Sequence, residues 1–488
     1  MQARILLAAL LGLAAVAHAQ TDTPVTTNNG TPPSVTTPAA SMQSLPSAAD
    51  TTAQPAQTPA GVEPRIRELP NTLSVGPAIP ADAPTLTLAQ AEQMALQHNP
   101  RISIARLLAL AQGQVTRESR SAYYPTLGAA ATAVQAEDGS RITSGALNNP
   151  ALYSRAAFGA TLNQLLTDFG RTRNLVSSSD LKAKAAESTL AATRFDIIFA
   201  VDQAFYRALG AQALIAVAQE TVRARRATAN QINALANARL RSTLDLSFSN
   251  ADLAQAQLQL LDARNQSIEA QASLSALLGD EQSTIYRLID ETPNAPTVPP
   301  AEAAPLVAQA FQSRPDLRSL QQTAGAQHQF AKAESELALP TVSALGAVGD
   351  APVRNSAITH NWDGAVGVNV TVPVFNGFLY SARANEARLR ATAADDQVRQ
   401  LREAIARDVT VTVLQAQSNF NRIAVAQQLA EQSAEALKLA QTRYDLGLSS
   451  IVELSQAQLL QTQASIQLAN ARYAYQGSLA AIKFQTGQ

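Results

Sequence analysis

The 488-residue chain contains no cysteine, which excludes disulfides, thiolate metal sites and a lipid carried on an N-terminal cysteine. Charge of one sign is also missing: 37 Lys and Arg against 38 Asp and Glu leave no basic excess of the kind that grips nucleic acid. Histidine is scarce, and His98, His328 and His360 are scattered, with no pair at the i, i+4 spacing of a helical zinc site. Neither a P-loop nor a glycine-rich dinucleotide turn occurs, so no cofactor is expected and any energy source must belong to a partner. The sequence therefore offers no catalytic constellation and reads as a non-enzyme. Aromatics make up only 5% of the chain, while Ala, Gln and Leu are abundant, a composition that suits long, closely packed helices.

Long apolar runs are confined to the N-terminus. Arg4 gives a positive start, Ile5 to Val16 an apolar stretch, and Ala17-His18-Ala19 a small-residue cleavage signal, so residues 1–19 read as a signal peptide cut between Ala19 and Gln20. That stretch is short of the roughly 20 residues a spanning helix needs. Every later helical stretch is interrupted by Gln, Asn, Arg or Asp, so a membrane crossing by this chain has to use strands. Residues 20–84 change character, as in Thr31-Pro32-Pro33-Ser34, and read as a disordered Pro/Thr/Ala-rich extension that cannot offset its ordering entropy.

From Thr87-Leu88-Ala89-Gln90, a capping-box pattern, the chain repeats itself once. Asn99-Pro100 matches Arg314-Pro315 and Pro125 matches Pro340, each 215 positions apart; Asp168 matches Asn376 and Leu244-Asp245-Leu246 matches Val452-Glu453-Leu454, each 208 apart. The change of seven places a hairpin loop between the second proline and the Asp/Asn landmark. Residues 85–290 and 291–488 are thus read as two repeats of helix, strand, strand, long helix, helix. The strands are marked by alternation: Val366 to Val374 at every second position, Phe158, Ala160 and Leu162 likewise, with Thr126–Val134 and Thr341–Val348 richer in small residues.

Each strand is about ten residues long, enough to cross a bilayer when tilted, although a pair of small hairpins in a soluble domain would give the same local pattern. Four strands cannot close a barrel, and an open sheet would leave unpaired edges in lipid. Strands in a membrane therefore imply several chains sharing one barrel, and three chains would supply an even twelve. At about 1.5 Å per residue, the helix from Arg171 to Arg239 would be roughly 100 Å long, matched by Leu86 to Ala122 plus Leu246 to Leu278 stacked end to end. Ala301 to Ala338 and Val452 to Phe484 do the same beside Leu379 to Leu446. Leu253, Leu260, Ser267 and Leu274 recur every seven residues as a packing seam, which a non-pore periplasmic coiled-coil scaffold would also show.

Four ordered segments carry a resemblance to the TolC family of outer-membrane efflux proteins: Ala91 to Pro100, Leu165 to Arg171, Val372 to Gly377, and Arg443 to Leu454. What the resemblance implies is a fold that is mainly α with a membrane β-barrel portion, a homotrimer with a 12-stranded barrel in outer-membrane lipid and a periplasmic α-barrel. It also implies a passive exit duct of a tripartite efflux or type I secretion system, docked to a periplasmic adaptor protein and an inner-membrane transporter. The turns after the two long helices would then form the periplasmic tip. By resemblance, Asp245 and Glu453 fall at the constriction with Tyr444 as a gate-locking tyrosine, while Leu240, Arg241, Ser242, Gly447, Leu448 and Ser449 present the adaptor-docking surface. Ser449 stands where an arginine can tie the gate shut, and Gln456 where a second aspartate can occur. Ser242-x-x-Asp245 and Ser450-x-x-Glu453 also fit the capping box, so helix capping is the competing role for both carboxylates.

Overall fold

A computed structural model describes residues 83–137, 154–282, 284–291, 296–353 and 362–488. The signal peptide with its Ala19-Gln20 cleavage point, and all but the last two residues of the extension, lie outside the described residues, as do His360 and most of both hairpin loops.

The chain enters through a two-residue strand β1 (Thr85–Leu86) and helix α1 (Leu88–His98). Thr87 closes the expected capping box, its side chain accepting from the Gln90 N–H while the Gln90 side chain accepts from the Thr87 N–H. The predicted helix from Leu86 to Ala122 is in fact two, α1 and α2 (Pro100–Ser121). Proline lacks an N–H and forces the preceding residue out of helical geometry, so Asn99 is extended (ψ 121°) and caps α2 through the Arg101 N–H. Arg314 before Pro315 repeats the break (ψ 122°), dividing the predicted Ala301 to Ala338 helix into α5 (Ala304–Ser313) and α6 (Pro315–Ser335).

Strands β2 (Thr126–Val134) and β3 (Arg155–Thr167) precede the long helix α3 (Arg171–Asn237) and its shorter follower α4 (Thr243–Leu278). A two-residue strand β4 (Arg287–Leu288) pairs in parallel with β1, a ladder the sequence pattern does not announce. In the second half β5 (Thr341–Val353) and β6 (Trp362–Thr371) precede α7 (Leu379–Asp445) and α8 (Ile451–Thr486). The alternating valines thus outrun their strand, Val372 and Val374 lying past its end. Helices α3 and α7 have 67 residues each, α4 and α8 have 36 each, and Arg171 and Leu379 begin 208 positions apart. At 1.5 Å per residue the long helices extend about 100 Å.

The four longer strands form one antiparallel sheet in the order β2-β3-β5-β6, with β2 and β6 as open edges. Among the described residues no helix is long and apolar enough to cross a membrane. Asp168, one of the repeat's landmarks, starts α3: its carboxylate accepts from the N–H groups of Gly170 and Thr172 and from the Thr172 hydroxyl. The main apolar cluster joins α1, α3 and α4 through Ala91, Ile197, Phe205 and Leu274, under the β1–β4 pair. Burying a Phe or Leu side chain contributes about 1.5–3 kcal/mol, and the intervening alanines let the helix backbones close up. The heptad seam holds in α4, where Ser267 and Leu274 are buried and Leu253 and Leu260 half-buried.

Candidate functional site

Both long helices end in the same backbone device. After α3 the Arg239 N–H donates to the Ala236 carbonyl and the Leu240 N–H to the Leu235 carbonyl; after α7 the Gly447 N–H donates to Tyr444 and the Leu448 N–H to Arg443. These are Schellman turns, which need a left-handed residue at their centre. Gly447 (φ 73°) meets that need freely, whereas Arg239 (φ 58°) holds it against its own Cβ.

The serines cap the following helices. Ser242 accepts from the Leu244 N–H at 3.1 Å and Ser450 from the Glu453 N–H at 3.4 Å. Neither carboxylate closes a capping box, although each lies in the first turn of its helix, where negative charge favours the N-terminus. Glu453 instead pairs with Arg443 (3.3 Å) on an exposed surface. Asp245, partly buried, has no hydrogen bond or ion pair among the described residues, and its charge acts on Tyr444.

Tyr444 is the anchor of this end. It is 1% exposed, packed with Ile232, Ile451 and Leu454. The Arg241 guanidinium lies 4.4 Å from its ring centroid, and Arg241 Nη2 donates to the Tyr444 carbonyl at 2.7 Å. A partly desolvated cation over an aromatic ring contributes about 0.5–2 kcal/mol, and a charged hydrogen bond adds about 1.5–3 kcal/mol. The Tyr444 hydroxyl is buried with no partner among the described residues. Burial raises its pKa, Asp245 and Asp445 push the same way, and Arg241 opposes them.

Arg241, in the turn that the resemblance assigns to adaptor docking, is half-buried and holds Tyr444. It sits 208 positions before Ser449, where the resemblance anticipates an arginine; Ser449 itself is half-buried with an unpartnered hydroxyl. Leu240, Leu448 and Gln456 are exposed. Gln456 lines a cavity of about 330 Å³ together with Arg225, Asp252 and Ser455. Those last three were not singled out by sequence. Buried Arg225 lies 3.8 Å from Asp252, which also accepts from the Ser455 hydroxyl, so α3, α4 and α8 are tied at one point. Desolvation lowers the Arg225 pKa while Asp252 opposes the shift. Gln231 donates to Asp445 at 3.2 Å, joining α3 to α7. No sequence period relates residues this far apart. Among the described residues no group of His, Asp and Glu is arranged to hold a metal ion.

An exposed four-stranded antiparallel sheet mounted on two helices of 67 residues, whose far ends are joined by side-chain contacts, defines the class of outer-membrane channel subunits built from strands above and helices below. The chain belongs to the outer membrane efflux protein family, whose model matches residues 91–280 and 306–488. It is 24% identical to the outer membrane protein OprJ of Pseudomonas aeruginosa over 374 residues, 75% of this chain and 76% of that one. Its fold matches the outer-membrane channel OprN with a TM-score of 0.72 at 21% identity, covering 82% and 89% of the two chains. The outer membrane protein VceC of Vibrio cholerae gives 0.72 at 20% identity, covering 82% and 96%. The chain is thus an outer-membrane efflux channel protein and not an enzyme, as the sequence implied.

Proposed function

We propose that three copies of the mature chain close a 12-stranded barrel through their β2 and β6 edges, and that the helices continue it as a periplasmic tunnel. The observation that carries this reading is the open sheet: four strands with two free edges cannot stand in lipid alone. Residues 1–19 act as the export signal, 20–84 as a tether, and 85–290 and 291–488 as the two repeats of the wall. The duct is passive, and a periplasmic adaptor and an inner-membrane transporter supply both docking and energy. The adaptor meets the turns around Leu240 and Leu448, whose leucines stand exposed.

The tip is the gate in this reading. Three copies of Asp245 and Glu453 would form a ring of negative charge that favours cations and repels itself. Single-channel conductance of the mature protein in a planar bilayer tests both parts. Small cation-selective steps are expected, with selectivity falling in the Asp245→Ala, Glu453→Ala double variant. Selectivity unchanged in that variant removes the ring, and absence of any conducting insertion removes the duct.

A further inference from the structure

Arg225 is a cation that the fold buries without giving it a hydrogen bond. The residue is 7% exposed, and its guanidinium donates to no acceptor among the described residues, with Nη1 buried. Its countercharge, Asp252, stands 3.8 Å away, beyond hydrogen-bond reach, and accepts instead from the Ser455 hydroxyl. A buried aspartate or lysine can shed its charge by gaining or losing a proton. A guanidinium keeps its proton and has to be answered by acceptors. Of the two forces on Arg225, desolvation outweighs the pull of Asp252, so the buried cation is undercompensated.

The fold does not demand a charge here. The position 208 residues on is Ser433, 1% exposed, whose hydroxyl donates to the Ala430 carbonyl, and the counterpart of Asp252 is Leu460. The second repeat thus seals with a small satisfied hydroxyl the level at which the first carries a guanidinium.

Two cavities flank Arg225 on opposite sides of the α3–α8 contact. The one that Gln456 also lines is closed by α4 and holds Asp252. The other, of about 320 Å³, is closed by Leu437 of α7, and its one carboxylate, Glu220, is spent on Arg223 at the exposed rim. Thr221 and Thr462 line both cavities, but their hydroxyl protons go to the Val217 and Gln458 carbonyls at 2.9 and 3.0 Å. Ser465 differs. Its Oγ accepts from the Gln461 amide at 3.2 Å, while its own proton goes to no acceptor among the described residues. The cavity on the α7 side is therefore lined by two donors without acceptors, the Arg225 guanidinium from α3 and the Ser465 hydroxyl from α8.

We propose that this cavity binds a monovalent inorganic anion of chloride size, held between the Arg225 guanidinium and the Ser465 hydroxyl. One undercompensated cation answers one negative charge, and Glu220 at the rim disfavours a doubly charged ion such as sulfate. Hydrogen bonds to an ion are about twice as strong as neutral ones, so the anion pins α3 to α8. It does so at a level about 18 Å before the end of α3. The site is built within one chain and does not depend on three copies closing a barrel.

Crystals of the mature protein grown without halide and soaked in sodium bromide test the site through the anomalous scattering of bromine. A peak within hydrogen-bonding reach of Arg225 and Ser465 is expected. In detergent solution, the melting temperature should rise as sodium chloride replaces sodium gluconate at fixed ionic strength, and the rise should saturate. Arg225→Met should abolish that dependence. Ser465→Ala, which keeps the guanidinium, should weaken the apparent chloride affinity several-fold and serves where the methionine variant does not fold. A bromide peak without any saturable effect of chloride in solution is an adventitious ion only and overturns the proposal. Water alone at the site, or a chloride dependence that persists in both variants, overturns it as well.

Discussion

The two turns that end the long helices share a backbone and almost nothing else. Pairing residues 208 apart sets Arg239 against Gly447, Arg241 against Ser449, Ala236 against Tyr444, and Asp245 against Glu453. Both turns make the same pair of Schellman hydrogen bonds. Yet the first supplies a guanidinium and the second the aromatic ring it covers, so one turn is donor and the other receiver. The hydrogen-bond geometry, which only the main chain and a left-handed residue require, is common to both turns, while their side chains differ.

The largest break in that division should come from removing the receiver. Tyr444→Ala takes a buried ring out of the Ile232, Ile451, Leu454 cluster and should cost about 3–5 kcal/mol of local stability, read as faster hydrogen exchange across 440–455. Tyr444→Phe should cost almost nothing, because the hydroxyl has no partner among the described residues. A large loss in the phenylalanine variant would mean that the hydroxyl finds its partner in the assembled protein. Alanine at Ala236's level in the other turn is already the native state, which makes the comparison internal to the molecule.

A second contrast lies higher on the same helices. Asp202 on α3 is 7% exposed, while its counterpart on α7, Thr410, is exposed. Burial pushes the Asp202 pKa up to about 7, Glu92 on α1 adds repulsion and a shared hydrogen bond, and Lys483 on α8 pulls the other way. A carboxyl whose folded pKa lies above its unfolded value contributes stability at low pH. That contribution is complete below about pH 4 and is lost as pH rises toward about 7. Melting temperature in detergent should therefore fall over that window, and Asp202→Asn should flatten the profile. An unchanged slope in the variant would place the titrating group elsewhere.

Much of this architecture was legible because it rests on local signals. Proline positions, the Thr87 capping box and apolar periodicity are short-range, and they located α3 and α7 to within two residues at each end and β2 at both its ends. The helix breaks at Asn99 and Arg314 were marked by the prolines themselves, though the long apolar pattern on both sides masked them. The tip was legible only as a place. Arg241 meets Tyr444 across 203 positions, and Arg225, Asp252 and Ser455 come from three helices. Such contacts are set by how α3, α4, α7 and α8 cross, which no single helix's pattern encodes. The β1–β4 pair is too short for alternation to register at all.

The smallest expected effects exchange the two turn centres. Arg239 carries a side chain into the left-handed region at φ 58°, a conformation that disfavours any residue with a Cβ by about 1 kcal/mol. Arg239→Gly should relieve that strain, partly offset by the greater freedom glycine gains in the unfolded chain, so stability should change by no more than about 1 kcal/mol. Gly447→Ala should lose about 1 kcal/mol by the same argument run backwards, with open space around the new Cβ so that no clash adds to it. Local hydrogen exchange of each turn measures both. A substantial loss in Arg239→Gly would show that the Arg239 side chain, and not its backbone, is what this turn retains.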